Sequence, residues 1–453
     1  MKTVNRLGSE KISSLVFKIA LPSMLAQFVS VLYSIVDRIF VGNIPEFGDL
    51  SLAGVGVCGP IVTMIGAFAS LVGIGGAPLL GIALGEGNKE KATHILSNCF
   101  LLLSAISLAV TGLALLLKEP MLRLFGASTV TYPYAADYFT IYVSGTLFAL
   151  LSNGMYQFVI AQGYAKIGMC SVILGAVLNV LLDPLFIFVF HLNVKGAALA
   201  TIISQAASAA FVLIFLSRKS EIRITFGNYR LHTMGRVLTM GLTPFLIIAL
   251  DNVMLIAMNA LLQKHGGIHG DELITVNTIT QSFMLVLTMP LGGISGGTQC
   301  ILSYNYGAGN ARRVRKAQLY IVGLCVGYTA LLFILARAAG PLFVSLFTKD
   351  AALSRQACRA IRICTMAAIP LGIQYEIVDG FTGMGQVKLA LPLSLWRKTV
   401  YFIALFLIPL FADASALFYA EPISDILSVS VSIPVYFWGM KKVFSKPHIR
   451  VEV

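Results

Sequence analysis

The feature that constrains this chain most is a run of mainly apolar residues that recurs along its whole length. Twelve such runs occur, at residues 14–40, 52–84, 93–117, 133–161, 167–190, 195–217, 236–262, 273–305, 317–339, 355–382, 388–410 and 415–440. An α-helix needs about 20 apolar residues to cross the hydrocarbon core of a bilayer. A mean hydropathy of +0.85 and a charged fraction of only 12% exclude an ordinary soluble domain. The sequence therefore predicts an all-α polytopic membrane protein with twelve transmembrane helices.

Basic residues are concentrated in alternate loops. With Arg397 and Lys398 assigned to the loop before the eleventh run, roughly two thirds of the 33 Lys and Arg residues lie on the side of both termini. Because cytoplasmic loops are enriched in Lys and Arg, this bias predicts that both termini are cytoplasmic. Contacts with the lipid bilayer then explain the net charge of +13, and nucleic acid is not an expected partner.

An internal repeat divides the chain into two halves. A shift of 222 residues aligns a series of prolines and glycines, namely Pro22 with Pro244, Gly75 with Gly297, Gly85 with Gly307, Gly87 with Gly309 and Gly163 with Gly385. This repeat predicts two pseudo-symmetric six-helix bundles, 1–222 and 223–453, which enter the membrane in the same orientation. Such bundles usually enclose a central substrate path and alternate its access between the two sides.

Polar residues inside the fifth run are the first candidates for a functional site. A charge at the bilayer centre costs about 2.5–3.5 kcal/mol on insertion scales, so it needs a reason. Asn179 and Asp183 are one helical turn apart, and Pro184 cannot donate to the carbonyl of Val180, so the helix should bend there. The second half does not repeat this pair. We interpret these oxygen atoms as a site for a proton or a small cation.

The first run adds a polar face that ends in a second acid. Its members recur at helical spacing, namely Ser23, Gln27, Ser30, Ser34 and Asp37. Tyr33 lies one turn before Asp37, and Thr201 in the sixth run is a candidate donor to a carboxylate. For the serines and Gln27, interhelical hydrogen bonding is the plain alternative.

The second half has its own buried polar candidates. A cationic substrate path could use Gln27 and Ser34 together with Asp251, Gln281, Glu376 and Asp379, and the acids of the second half could alternatively form a second cation site. Glu421 and Asp425 share one face of the last run, although a position near a helix end could let them reach water. The seven cysteines show neither metal-ligand nor redox spacing, so no bound cofactor is expected.

The stretches that carry these residues resemble one known family. "LPSMLAQFVSVLYSIVDRIFVG", "GAVLNVLLDPLFIFVF", "NVKGAALATIISQ" and the paired turns "LGEGN" and "YGAGN" are similar to the multidrug and toxic compound extrusion (MATE) family, particularly its DinF-like branch. The resemblance covers essentially the whole chain. It implies a non-enzymatic antiporter of the plasma membrane, in bacteria the inner membrane, that works as a monomer. Its expected substrates are small-molecule drugs, often cationic and amphipathic.

The resemblance also implies a coupling site in the N-terminal lobe. Carried over by position, its acids are Asp37 and Asp183, and its polar surround is Tyr33, Asn179 and Thr201. Asp37, Asn179 and Asp183 could hold either a proton or a sodium ion. Two departures leave the coupling ion open. The turn "AQGYAKIG" lacks the arginine that the family often has before its glycine, and Asp251 resembles an acid of the sodium-coupled branch.

Two alternatives remain. A flippase for lipid-linked saccharides, from the same superfamily, should have a large cationic cavity for a pyrophosphate group. The count above assigns only Arg38 and Arg337 to the membrane and the basic residues of the other runs to the adjoining loops, which disfavours a flippase. An intramembrane enzyme would need a metal cluster or an acid-rich motif at a membrane face, and the spacing of the His, Cys and Asp residues provides neither.

Overall fold

The computed structural model describes residues 3–45, 48–227 and 229–445, and every regular element within them is helical. The α-helices are α1 Thr3–Ser9, α2 Ile12–Gly42, α3 Gly48–Gly85, α4 Lys89–Leu116, α5 Lys118–Leu124, α6 Tyr132–Ser144, α7 Thr146–Ala161, α8 Ala165–Pro184, α9 Asn193–Ile214, α10 Leu231–Gly266, α11 Gly270–Gly307, α12 Ala311–Ala338, α13 Gly340–Val344, α14 Ala351–Cys364, α15 Ala368–Gly383, α16 Val387–Leu407 and α17 Ala420–Ser445. Short π-helical turns extend α8 and α9, over Leu185–Val189 and Phe215–Lys219.

Twelve membrane spans are present where the sequence predicts them. Ten helical stretches in the described chain are long and apolar enough to cross a bilayer, and the pair α6 and α7, bent by 56°, provides another. One of the ten stretches, Leu231–Gly307, contains both α10 and α11. The tenth span is interrupted between α14 and α15 by a 3-10 turn. The prediction of an all-α, twelve-helix membrane protein is confirmed.

The apolar side chains form two cores that largely follow the repeat, although Tyr156, Ile160 and Ala165 of the first half also pack into the core of the second. The first half of α2, including Leu15 and Ile19, packs into the core made by the C-terminal half of the chain. Conversely, Val237 and Met240 at the start of α10 pack into the core of the N-terminal half. We call the two halves the N-lobe and the C-lobe. The starts of α2 and α10 therefore join the lobes on the face where α2 begins and α17 ends, which we call the terminal face.

Helices of the two lobes approach each other closely in the half of the membrane next to the terminal face. Glycines make this close approach possible. A Cβ atom on Gly241 of α10 would lie 1.7 Å from the carbonyl oxygen of Leu71 on α3. A Cβ atom on Gly297 of α11 would lie 2.5 Å from Cβ of Ser23 on α2. These contacts, α3 with α10 and α11 with α2, are related by the repeat. Together with Gly75, Gly81, Gly85, Gly293 and Gly307, which meet the opposite lobe in the same way, they form an inter-lobe glycine seam.

Side-chain hydrogen bonds hold the segments that precede α2 and α10. The segment before α2 is bonded to the C-lobe, and the linker before α10 is bonded to the N-lobe. Before α2, Arg313 of α12 donates through Nη2 to the carbonyls of Leu7 (3.1 Å) and Glu10 (2.9 Å). Asn305 Nδ2 also donates to the Leu7 carbonyl, at 3.0 Å. Before α10, the linker is held on the N-lobe, where Gln162 bonds both backbone groups of Ile222. The N-terminal segment is thus tied to the C-lobe.

The structure corrects the loop assignment of two basic residues. Arg397 and Lys398 lie in the middle of α16, and their side chains are only 13% and 5% exposed. These side chains can be buried because acids on α10 and α17 face them. The sequence of a single run does not show partners that lie on other helices. The argument that few basic residues lie within the spans is therefore wrong.

Candidate functional site

Asp37 of α2 and Asp183 of α8 meet because these two helices pack along each other. Their carboxyl groups are close enough for a side-chain hydrogen bond when one of them carries a proton. Asn179, one turn before Asp183, donates through Nδ2 to Asp183 Oδ1 at 3.3 Å. Asp183 is fully buried and Asn179 is 2% exposed. The structure brings together the three residues that the sequence suggested as a cation site.

The chemistry of this site follows from its oxygen atoms. Asp37 Oδ1, Asn179 Oδ1 and Asp183 Oδ2 are buried and have no hydrogen-bond partner in the described part of the protein. Two adjacent carboxylates repel each other when both are ionised, and buried acceptors without partners are costly. A proton or a monovalent cation between them relieves both penalties. No group of three or more His, Cys, Asp or Glu residues suited to a metal ion occurs among the described residues.

The helix that carries Asp183 changes its geometry directly after this residue. The α-helix ends at Pro184 and continues as the π-helical turn Leu185–Val189. Proline has no N–H group to donate, so the regular bonding pattern cannot pass through it. The sequence predicts a bend at Pro184, and the structure has a change from α-helical to π-helical hydrogen bonding directly after it.

Three tyrosines surround the acid pair. Tyr33 and Tyr138 both lie close enough to Asp37 to interact with it electrostatically. The rings of Tyr138 and Tyr142 stack with centroids 5.9 Å apart, and Tyr142 is hydrogen-bonded to Gln205 of α9. The sequence analysis identified only Tyr33. The signal for the other two is their spacing of four residues on α6, but such pairs more often simply pack helices.

The other N-lobe candidates lie elsewhere. Thr201 directs its hydroxyl to the carbonyl of Ala197 at 3.0 Å, and not to a carboxylate, because threonine in a helix finds this acceptor one turn back. Gln27 lies on the inter-lobe contact, where a Cβ atom on Gly293 would be 3.0 Å from its Cγ. Ser34 is exposed on the surface of α2.

Asp251 belongs to a charged cluster in the C-lobe. It forms an ion pair with Lys398, and its own side chain remains 51% exposed. Next to it, Arg397 binds Glu421 at 2.9 Å and Asp425 at 2.7 Å. Three acids thus face two bases within the membrane-spanning part of this lobe. Glu421 and Asp425 are occupied by Arg397, so they are not free to line a substrate path.

The remaining C-lobe candidates lie on α11 and α15. Asp379 accepts a hydrogen bond of 2.5 Å from Ser295 Oγ and a second one from Gln299. Gln299 also lines a small cavity between the lobes, together with Gln157 and Ser303. Glu376 is 1% exposed. Gln281 is half-buried on α11. Neither of them, nor Asp379, is among the residues that line this cavity.

Comparisons with known proteins identify the family. A model of the MatE family matches residues 22–185 and 245–424, which is well over half of the chain, with one segment in each half of the repeat. Multidrug export protein MepA of Staphylococcus haemolyticus is 26% identical over 394 residues, covering 86% of this chain and 85% of MepA. A FAD transporter of Shewanella oneidensis is 26% identical over 436 residues, covering 94% of this chain and 95% of that protein.

Solved structures agree with this family match at the level of the fold. The outward-facing form of a multidrug resistance MATE family transporter has a TM-score of 0.91 at 20% identity, covering 98% of this chain and 99% of that one. A MOP superfamily transporter from Pyrococcus furiosus has a TM-score of 0.90 at 21% identity, covering 99% of each chain. The DinF-like branch stays a prediction. The chain belongs to the MATE family, a family of membrane transporters and not of enzymes.

Proposed function

We propose that the protein is a secondary active multidrug efflux antiporter. It exports organic, often cationic and amphipathic compounds in exchange for protons or sodium ions. It works as a monomer in the plasma membrane of a bacterium, the inner membrane where there are two, with the terminal face in the cytoplasm. Family membership and the MepA relatives support multidrug export. The observation that carries the coupling is the acid pair, Asp37 and Asp183, which together with Asn179 has three buried oxygen atoms without partners among the described residues.

Coupling requires that the acid pair bind its cation differently in the two conformations. A ligand shifts a conformational equilibrium only by its differential affinity for the two states. The pair lies where α2 and α8 meet, and α2 also spans the lobe interface through its contact with α11. Movement of one charge through 100 mV supplies about 2.3 kcal/mol, roughly a fifty-fold change in an equilibrium. Binding a cation at Asp37 and Asp183 is therefore coupled to the helix that joins the lobes.

The charge of the C-lobe supports a cationic substrate rather than a pyrophosphate-bearing lipid. Arg397 and Lys398 are both engaged by acids, and Asp251 keeps half of its side chain accessible. Asp379 adds a further acid to this lobe, bonded to Ser295 of α11. A flippase or a flavin dinucleotide carrier would need uncompensated positive charge at such a place. The cluster around Arg397 provides none.

The experiment uses purified protein in proteoliposomes loaded with a fluorescent cationic dye. A proton gradient and a sodium gradient are imposed separately, and dye movement is followed in the wild type, Asp37→Asn and Asp183→Asn. We expect one of the two gradients to drive dye movement. In both variants, the gradient-driven rate should be at least ten-fold lower than in the wild type. Flavin dinucleotide replaces the dye in a parallel series.

Asp137→Asn is the matched control, because Asp137 is a carboxylate on α6 that is 50% exposed and pairs with Lys195. It should transport like the wild type. Undiminished gradient-driven transport by Asp183→Asn would contradict the assignment of the coupling site. Gradient-driven movement of the dinucleotide but not the dye would contradict the proposed substrate class.

A further inference from the structure

The linker between the lobes lies along α4 and is fixed to it by hydrogen bonds at two points. The backbone N–H of Thr225 donates to Ser97 Oγ at 3.0 Å. Further along the linker, the N–H of Arg230 donates to Asn98 Oδ1 at 2.8 Å. Ser97 and Asn98 are consecutive residues of α4, and both are buried. The end of the linker and the start of α10 are therefore held at a fixed place beside α4.

An apolar cavity lies next to this attachment, between α4 and the first turn of α10. Its volume is about 330 Å³. Tyr229 is the only lining residue with a side-chain oxygen or nitrogen atom, and the full lining is Leu101, Leu102 and Ala105 of α4 with Tyr229, Leu231 and Met234 of the linker and α10. An apolar cavity of about 150 Å³ already stays dry and binds benzene. This larger cavity is therefore suited to hydrocarbon rather than to water.

The cavity continues into the lipid-facing surface of α4. Helical spacing places Ala105, Leu108 and Gly112 on one face of this helix, and all three are exposed. Leu108 is 68% exposed. Because α4 is long and apolar enough to cross the bilayer, this face contacts acyl chains. A hydrocarbon chain that enters the cavity can extend along α4 towards the membrane centre.

The mouth of the cavity has the residues of a membrane–water interface. Leu231 is 87% exposed, and Phe226 in the linker is 82% exposed. The sequence neighbours of Leu231 are Arg230 and His232, and both are exposed as well. Exposed aromatic and apolar side chains next to basic ones are typical of the level where the hydrocarbon core meets the lipid headgroups.

The linker and the turn before it carry uncompensated positive charge. Four basic residues here are exposed and form no ion pair with any residue in the described ranges, namely Arg218, Lys219, Arg223 and Arg230. Glu221, the acid of this segment, is only 6% exposed and is paired with Lys89 of α4 at 2.7 Å. Exposed bases beside an apolar surface attract the phosphate of an anionic lipid.

The combination of cavity and charge selects one class of ligand. A soluble phosphate compound would meet the bases but leave the apolar cavity unfilled. An organic cation would fit the cavity but be repelled by the bases around it. An anionic phospholipid matches both parts, because its acyl chain is apolar and its headgroup is negative.

We propose that this cavity binds one anionic phospholipid from the leaflet at the terminal face. One acyl chain lies between α4 and the start of α10, and the phosphate lies beside Arg230 and His232. The lipid then fills the space between the N-lobe and the helix that begins the C-lobe. This binding does not depend on which compound the protein transports or on which ion drives transport.

The test is native mass spectrometry of the purified, delipidated protein, titrated with phosphatidylglycerol or with phosphatidylethanolamine of the same acyl chains. We expect the first phosphatidylglycerol to bind at least about five-fold more tightly than phosphatidylethanolamine, which is the contribution of one basic residue near an anionic headgroup. For the same reason, Arg230→Gln should weaken this binding about five-fold. Arg312→Gln, which changes an exposed base at the start of α12, is the control and should bind like the wild type.

A second pair of variants tests the cavity itself. Ala105→Trp fills it with an indole ring and should abolish binding of the first phosphatidylglycerol. Ala109→Trp adds the same ring one turn further along α4, outside the lining of the cavity, and should leave binding unchanged. Glycerol phosphate, which has the charge but no acyl chain, should not compete.

Three results would overturn the proposal. The first is equal affinity of the wild type for the two lipids. The second is wild-type affinity for phosphatidylglycerol in either Ala105→Trp or Arg230→Gln. The third is full competition by glycerol phosphate, which would show that the bases bind a free phosphate group without the cavity.

Discussion

At the scale of single residues, the N-lobe acid pair and the acids around Arg397 differ in their partners. In the N-lobe, Asp37 and Asp183 face each other, and each has one oxygen atom without a partner among the described residues. In the C-lobe, Arg397 bonds both Glu421 and Asp425. An acid paired with arginine is a fixed structural element, whereas an acid paired with another acid can bind and release a cation. This difference explains why coupling is assigned to the N-lobe pair.

The structural role of Arg397 leads to the first prediction. Arg397→Ala leaves Glu421 and the fully buried Asp425 without their counter-charge, and breaking a buried ion pair in this way costs about 3–5 kcal/mol. We expect a large drop in the thermal unfolding temperature of the purified protein. Arg123→Ala is the control, because its pair with Glu119 is exposed and should contribute less than about 1 kcal/mol. Equal thermal stability of the two variants would show that the cluster is not structural.

The sequence predicts residue contacts within one helix but not between helices. Asn179 and Asp183 could be paired in advance, because helical periodicity places residues four apart on one face. Tyr142 and Gln205 could not, since their contact depends on how α6 packs against α9. Arg397 was misassigned for the same reason, because its partners are on another span.

At the scale of helices, the lobes are joined through glycines that only the packed structure explains. The repeat marks Gly75 and Gly297 in the sequence, and the structure shows that each meets a helix of the opposite lobe. Span positions follow from hydrophobic length alone, which is why all twelve could be predicted. The breaks near Gly145 and Thr365 could not, because both occur inside single predicted runs.

The glycine seam predicts that one added methyl group is enough to separate two helices. In Gly241→Ala, the new Cβ atom would lie 1.7 Å from the Leu71 carbonyl, and a backbone atom cannot move aside as a side chain can. Overpacking of this kind typically costs about 1–3 kcal/mol, so we expect lower thermal stability and at least ten-fold slower dye export. Gly235→Ala, on the same helix with no atom within 4 Å, should behave like the wild type. Normal export by Gly241→Ala would show that the contact is not required.

The N-terminal segment gives a second prediction at this scale. Arg313→Ala removes two charge-assisted hydrogen bonds to the carbonyls of Leu7 and Glu10, worth about 1.5–3 kcal/mol each. Backbone amides of residues 3–11 should then exchange hydrogen at least ten-fold faster, which mass spectrometry measures. Arg312→Ala removes an exposed neighbour of the same charge and should leave exchange unchanged. Unaltered exchange in Arg313→Ala would mean that the segment is held by its apolar contacts.

At the scale of the whole molecule, the two lobes meet at the terminal face and must part there for access to alternate. The seam contacts lie between α3 and α10, between α2 and α11 and between the ends of α3 and α11. The repeat predicts this two-fold arrangement in outline. It could not predict which face is closed, because both conformations use the same sequence and differ only in the packing between lobes.

A disulfide across the seam tests this picture. A Cβ atom on Gly81 of α3 would lie 2.8 Å from Cβ of Ser303 on α11, so a shift of about 1 Å reaches disulfide geometry. The double variant Gly81→Cys with Ser303→Cys should lose dye export when oxidised and return, when reduced, to the slower rate that Gly81→Cys alone shows. Ser303→Cys alone should be insensitive to oxidation. If the fully cross-linked protein exported dye as fast as the same variant with its thiols reduced, alternating access through this face would be contradicted.

The measurement that tests the central claim most directly records ion and dye movement together in the same proteoliposomes. Coupling is reciprocal, so an imposed dye gradient, with no ion gradient present, should drive protons or sodium ions in the opposite direction. Our account predicts such a counter-flux in the wild type and none in Asp183→Asn. Dye movement without any counter-flux in the wild type, or an equal counter-flux in Asp183→Asn, would contradict it.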